Sequence, residues 1–242
     1  MLKNYKIIAH KCGYYEPKLN ENSLDALNYS VDKDYIDGIE LDVQLTKDNE
    51  LVVIHDKKVN KLSNGKGLVS KLTFKKLKEL DFHGNKIMTL EEALKIFPNN
   101  KQMLIEIKRP LIGMKKVIDK YYELIEKYKE KNIITICFIS DVLSYLKQKD
   151  KNLKTGILVN KKQFYNLFNS KADYVFINKK ILSKKVIKYI LLKNKNLGIY
   201  TINSKKEFEN IDNILNKEIP KQYNKQIFLT TIVPSLLKNN NN

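Results

Sequence analysis

Short apolar runs alternate with helix-period stretches along nearly the whole chain, and this alternation constrains the fold more than any other feature. The strand-like runs are residues 6–10, 38–46, 103–108, 133–138, 155–159, 173–178, 197–203 and 226–231, with 51–55 as a hairpin arm on the second. Helical patterns fill residues 23–32, 90–97, 112–129, 142–148, 161–168, 183–194 and 205–215. Strand and helix in strict alternation imply a parallel sheet covered by helices. Eight such strands in 242 residues favour a closed (β/α)8 TIM-type barrel, one α/β domain over 1–242. No glycine-rich fingerprint follows the first strand, which argues against a dinucleotide-binding open sheet.

Local signals agree with these boundaries. Thr89-Leu90-Glu91-Glu92 reads as a capping box, and Ser183 and Ser204 stand at N-cap positions. Residues 57–88 break the alternation and read as an insertion near the barrel mouth, with a short helix over 73–80. Within it, Asn64-Gly65-Lys66-Gly67 lacks the spacing of a phosphate loop and reads as a surface turn. The asparagine-rich end, 238–242, reads as a disordered tail.

The chemistry concentrates in residues 38–56. Side chains alternate along a strand, so Glu40, Asp42 and Gln44 share one face and Ile39, Leu41 and Val43 the other. Two neighbouring carboxylates on a strand carry an electrostatic cost that a divalent cation would offset. Asp48-Asn49 suits a two-residue hairpin turn, a register that sets Asp42 opposite His55 and Gln44 opposite Val53. In a barrel of this kind the functional groups gather at the C-terminal ends of the strands. Those ends carry His10-Lys11, then Glu40 and Asp42 with His55, then Glu106 and Lys108. Three carboxylates without cysteine or histidine at ligand spacing point to a hard cation, Mg2+ or Ca2+, rather than Zn2+. An acid cluster beside two histidines has the makings of metal-assisted phosphoester hydrolysis.

Composition narrows the setting. The formal charge is +18, yet Arg109 is the only arginine, so the charge is a lysine coat rather than an arginine-rich reader of nucleic acid. Attraction to an anionic membrane surface stays open. There is no apolar run long enough to span a bilayer and no secretory leader pattern. Cys12 and Cys137, each at a strand end, suggest buried thiols in a reducing, cytoplasmic setting.

The ordered set His10-Lys11, Glu21-Asn22, Glu40-x-Asp42, His55-Asp56, Asn64-Gly65-Lys66-Gly67 and Glu106-x-Lys108 resembles the glycerophosphodiester phosphodiesterases. The resemblance is dense over 6–110 and weaker beyond. It implies a TIM-type barrel, a divalent cation at Glu40, Asp42 and Glu106, and His10 and His55 as general acid and base. It further implies phosphate contact by Lys108 and Lys11, substrate positioning by Glu21, and release of glycerol 3-phosphate and an alcohol. The sequence departs from the family pattern in four places. Lys11 stands for an arginine, Asn20 for a proline and Tyr200 for a tryptophan, and Thr230-Thr231-Ile232-Val233-Pro234 lacks an acid. These departures keep two alternatives in view: a phospholipase-D-like enzyme on lysophospholipids or sphingolipids, and a weakly active homologue that binds lipid head groups or a protein.

Overall fold

The computed structural model describes residues 5–14, 19–110, 113–220 and 223–235. Eight parallel strands close into a barrel: β1 (Tyr5–Ala9), β2 (Gly38–Leu45), β4 (Gln102–Ile107), β5 (Asn132–Cys137), β6 (Thr155–Val159), β7 (Tyr174–Asn178), β8 (Asn196–Ile202) and β9 (Ile227–Thr231). β1 pairs with both β9 and β2, which closes the ring, and β3 (Leu51–Val53) runs antiparallel on β2. The helices are α1 (Leu24–Val31), α2 (Phe74–Lys78), α3 (Leu90–Ile96), α4 (Met114–Glu126), α5 (Ser140–Lys149), α6 (Asn166–Asn169), α7 (Lys184–Leu192) and α8 (Lys205–Glu218). The proposed start of the fourth helix at residue 112 and the tail at 238–242 lie outside the described residues.

Strand parity sets the interior. The registers pair even with even, as in Ile8↔Gly38, Leu104↔Ile134, Ile136↔Gly156 and Gly198↔Phe228. One set of faces therefore points inward all round the ring. Ile8, Leu104, Ile134, Ile136, Leu158, Tyr174, Phe176 and Phe228 form the inner cluster. Odd-numbered residues such as Ile39, Leu41, Val43 and Ile105 pack outward under the helices. Phe176 fills the inside by using the space left on both flanking strands. A Cβ at Gly156 would lie 2.7 Å from its ring, and one at Gly198 2.1 Å.

The expected caps form. Thr89 and Glu92 exchange both capping-box bonds, and Ser183 and Ser204 accept from Val186 N and Glu207 N. Residues between β3 and α3 enclose a small core of Val52, Ile54, Val59, Val69, Leu77 and Phe82. In the Asn64–Gly67 turn, Gly65 N donates to Ser63 Oγ and Gly67 N to Asn60 Oδ1. Those N–H groups are spent on the turn, so it offers no phosphate cradle. α6 is shorter than the pattern at 161–168 suggested, because the Asn160 carboxamide accepts from Lys162 N and Gln163 N and holds a turn there.

The hairpin register differs by one residue from the expected one. Val43 faces Val53, Gln44 faces Val52 and Leu45 faces Leu51. The loop is longer than two residues: Thr46 N donates to Glu50 O, Asn49 N to Thr46 O, and Asn49 takes φ 66°. This is the three-residue turn with a left-handed last residue. The slip turns Val52 and Ile54 into the insertion's core. The backbone opposite Asp42 O is Ile54 N rather than His55.

Candidate active site

The first wall of the site comes from the chain leaving β1. Lys11 and Cys12 both take positive φ, 52° and 65°, and Gly13 follows at 78°. Left-handed non-glycine residues cost about 1 kcal/mol or more each. The turn recovers this by bonding: Lys11 N donates to Glu40 Oε2 at 2.9 Å and Lys11 O accepts from Asn22 N at 2.8 Å. His10 is held beside them, its Nε2 3.7 Å from Glu40 Oε2. Burial drives the imidazole down to about 4, with Asp42 opposing and Lys11 adding to the shift. His10 is therefore neutral near pH 7, and its buried Nδ1 has no hydrogen-bond partner among the described residues.

The acids come from adjacent strands. β2 and β4 align Asp42 with Glu106 and Glu40 with Leu104, so the carboxylates share the inner face. Oxygens of Glu40, Asp42 and Glu106 lie within 4.8 Å of one another, all buried. Burial, then Asp42 and Glu106, pushes Glu40 well above the usual carboxylate range. Burial and Asp42 push Glu106 up to about 7. Burial would raise Asp42 too, but Lys108, His55 and the Asn22 amide outweigh it and hold Asp42 low. Lys108 Nζ lies 2.8 Å from Glu106 Oε1 and 3.3 Å from Asp42 Oδ1. Burial disfavours its charge, but Asp42 and Glu106 outweigh that and raise it.

One lysine thus faces three carboxylates in a buried cup, and burial together with this excess of acid over base raises Glu40 and Glu106. That excess, the all-oxygen donor set and the raised Glu40 and Glu106 fit a hard divalent cation. The residues that could hold it are Glu40, Asp42 and Glu106.

The opposite rim is His55 and Asp56. Their side chains meet at 2.9 Å through His55 Nδ1, which directs Nε2 away from Asp56. His55 lies close enough to Asp42 and His10 to be an electrostatic neighbour of both. Gln44 donates to the carbonyls of Ile54, His55 and Asp56 and so fixes the backbone carrying this pair.

Lys11 and Glu21 come together, but mainly with each other. Lys11 Nζ donates to both Glu21 oxygens at 2.8 Å, and each side chain is about as buried as Lys108. Asn22 carries a role that sequence reasoning did not assign. Its amide donates to Asp42 Oδ2 at 2.8 Å and its carbonyl oxygen accepts from Asp42 N at 3.2 Å. It sits at φ 59°, which asparagine tolerates better than most residues. Its place after Glu21 was the available signal. Cys12 and Cys137 are both free and buried, and neither side chain is exposed at the site.

Comparison with known proteins gives the family and the fold. The model of the glycerophosphoryl diester phosphodiesterase family matches residues 11–197. A glycerophosphodiester phosphodiesterase of Caldanaerobacter subterraneus subsp. tengcongensis is 34% identical over 162 residues, covering 63% of this chain and 65% of the relative. One from Bacillus altitudinis is 37% identical over 133 residues, covering 52% and 51%. These alignments span less than two thirds of each relative's length. A phosphodiesterase of Oleispira antarctica, solved with the product sn-glycerol-3-phosphate, superposes with a TM-score of 0.80 at 19% identity over 96% of both chains. At that identity the likeness establishes the barrel.

Proposed function

The chain belongs to the glycerophosphoryl diester phosphodiesterase family, and on that premise we propose that it hydrolyses glycerophosphodiesters to glycerol 3-phosphate and an alcohol. The observation that carries this reading is the buried triad of Glu40, Asp42 and Glu106, met among the described residues by one lysine, Lys108, and flanked by His10 and His55. A divalent cation held there would polarise the phosphoryl oxygens and lower the charge barrier to attack. Lys108, at the edge of the triad, neutralises a phosphate oxygen. Lys11 stays on Glu21 and steadies the turn that presents His10, so its part is positioning more than phosphate contact.

His10 and His55 divide the proton transfers. His10, neutral and with Nδ1 unpartnered, suits removal of the proton from the attacking hydroxyl. Oxygen of that hydroxyl bonds to phosphorus as the bond to the leaving alcohol breaks. His55, whose Nδ1 is held by the Asp56 carboxylate so that Nε2 points away from it, suits donation of a proton to that alcohol. If the glycerol 2-hydroxyl attacks, water opens the cyclic phosphate with the two roles exchanged.

Purified protein with glycerophosphocholine or glycerophosphoethanolamine and Mg2+ or Ca2+ is expected to release glycerol 3-phosphate. His10→Ala and His55→Ala should each lose more than about 100-fold in kcat, and chelation should abolish turnover reversibly. Unchanged turnover by both variants would overturn the mechanism. Tight binding of glycerol 3-phosphate without turnover of any diester would overturn the activity itself.

A further inference from the structure

A cavity of about 340 Å3 opens beside the barrel mouth, between the β2–β3 turn, the insertion and the segment entering α4. Lys47, Lys57, Lys71, Lys108, Arg109 and Lys116 line it. Asp and Glu make up 27 of the 242 residues, yet none lines this wall. Two acids next in sequence to its lining residues, Asp48 and Asp56, are turned to other work. Asp48 accepts from the Thr46 hydroxyl at 2.6 Å and from Phe74 N at 3.0 Å, and Asp56 faces His55 and Lys61. Among the described residues, Lys47, Lys57, Lys71, Arg109 and Lys116 have no acidic partner.

Like charges gathered on one concave wall repel, and an anion entering it relieves that repulsion. The identity of one of them narrows the anion. Arg109 is the only arginine in a chain that uses lysine everywhere else. A guanidinium offers the planar fork that grips a phosphate by two parallel bonds, which a lysine cannot do. The cavity also shares a wall with the acid triad, because Lys108 lines the first and touches Glu106 and Asp42 in the second.

We propose that this basic cavity is a second phosphate subsite, taking an additional phosphate carried by the alcohol portion of the diester. The proposal rests on the phosphodiesterase reading and sharpens its substrate class. Diesters whose leaving alcohol bears a further phosphate are drawn in, and those ending in a quaternary ammonium are disfavoured by the same charges.

The test compares kcat/KM for bis(glycerophospho)glycerol and for glycerophosphocholine in wild type, Arg109→Lys and the double variant Lys57→Ala/Lys71→Ala. Wild type should prefer the first substrate. Each variant should lose about tenfold or more on it and show no loss on the second, with the double variant, stripped of two repelling charges, free to gain there. Equal losses on both substrates, or no loss on either, would overturn the subsite. If wild type cleaves neither diester, the phosphodiesterase reading falls, and pyrophosphate binding to metal-stripped protein decides the cavity alone. Binding that weakens at least about tenfold in the double variant upholds it, and binding that is absent or unchanged overturns it.

Discussion

Removing the Asn22 side chain tests the argument that Asp42 is held in place from the loop rather than from its own strand. Asn22 is 2% exposed and Asp42 1%. Asn22→Gly deletes a 2.8 Å bond to a carboxylate, of a kind typically contributing about 1.5–3 kcal/mol, and leaves the buried Asp42 N–H unpaired at about 1–3 kcal/mol more. Water entering the vacated space recovers part of this, so a loss of about 3 kcal/mol is expected. Glycine keeps the left-handed backbone, whereas Asn22→Ala must also strain it at φ 59°, adding about 1 kcal/mol. Urea unfolding of metal-free protein should therefore rank wild type above Gly and Gly above Ala. Calorimetric titration with Mg2+ should show binding about 10- to 100-fold weaker in both variants, because a group that orients a ligand carboxylate has gone. If Asn22→Gly costs less than about 0.5 kcal/mol and binds Mg2+ as wild type does, Asn22 is not a positioning residue and the reasoning fails.

Three further outcomes follow from other parts of the molecule. Gly198→Ala sets a methyl 2.1 Å from the Phe176 ring and should destabilise by about 1–3 kcal/mol; combining it with Phe176→Leu should give less than the sum of the two single losses, and strict additivity would refute the close contact. Thr89→Ala removes the capping-box hydroxyl and should cost about 1 kcal/mol in urea unfolding, so an unchanged midpoint would show the cap to be idle. In metal-free protein Glu106, raised from its ordinary 4.5 to about 7, binds protons that the unfolded chain has released, whereas His10, lowered to about 4, gives the opposite slope; the stability of wild type relative to Glu106→Gln should therefore fall as pH rises from about 4.5 through about 7. Mg2+ should abolish that fall and release protons on binding, visible as a buffer-dependent heat; a wild-type stability that does not fall relative to Glu106→Gln over this range would contradict the raised carboxylate.

Much of the barrel and the triad was legible because strand periodicity carries both. Alternation along 38–46 and 103–108 says which residues share a face, and the parallel register then sets Asp42 beside Glu106. The hairpin was not legible to the residue. Leu51, Val52, Val53 and Ile54 are all apolar and all buried, so either register buries aliphatics, and the hydrophobic pattern cannot choose. The choice lies in Asn49, whose left-handed φ makes a three-residue loop where Asp48-Asn49 invited a two-residue one. The Lys11 and Asn22 roles were hidden for a related reason. Both residues sit in loops at positive φ, imposed by closing the chain over the barrel mouth rather than by any local repeat.

The division of the barrel interior explains why the acids stand where they do. Tyr174, Phe176 and Phe228 pack ring to ring, at centroid distances of 5.7–6.3 Å, across the β7–β9 side. Gly156 and Gly198 leave Phe176 the room to do so. The three rings are themselves buried, so a carboxylate placed among them would be desolvated without a solvated partner. The charges are confined to the layer above, where Glu40 stands level with Leu104, and Asp42 and Glu106 lie two residues nearer the mouth. Glu40 stands deepest of the three along its strand, and its burial, with Asp42 and Glu106 beside it, raises it. Its compensation comes from the backbone N–H of Lys11, aimed downward by a strained turn. The left-handed turn after β1 and the aromatic plug are thus two parts of one device. The plug sets how deep the charged layer can go, and the turn supplies from above the hydrogen bond that the plug side cannot.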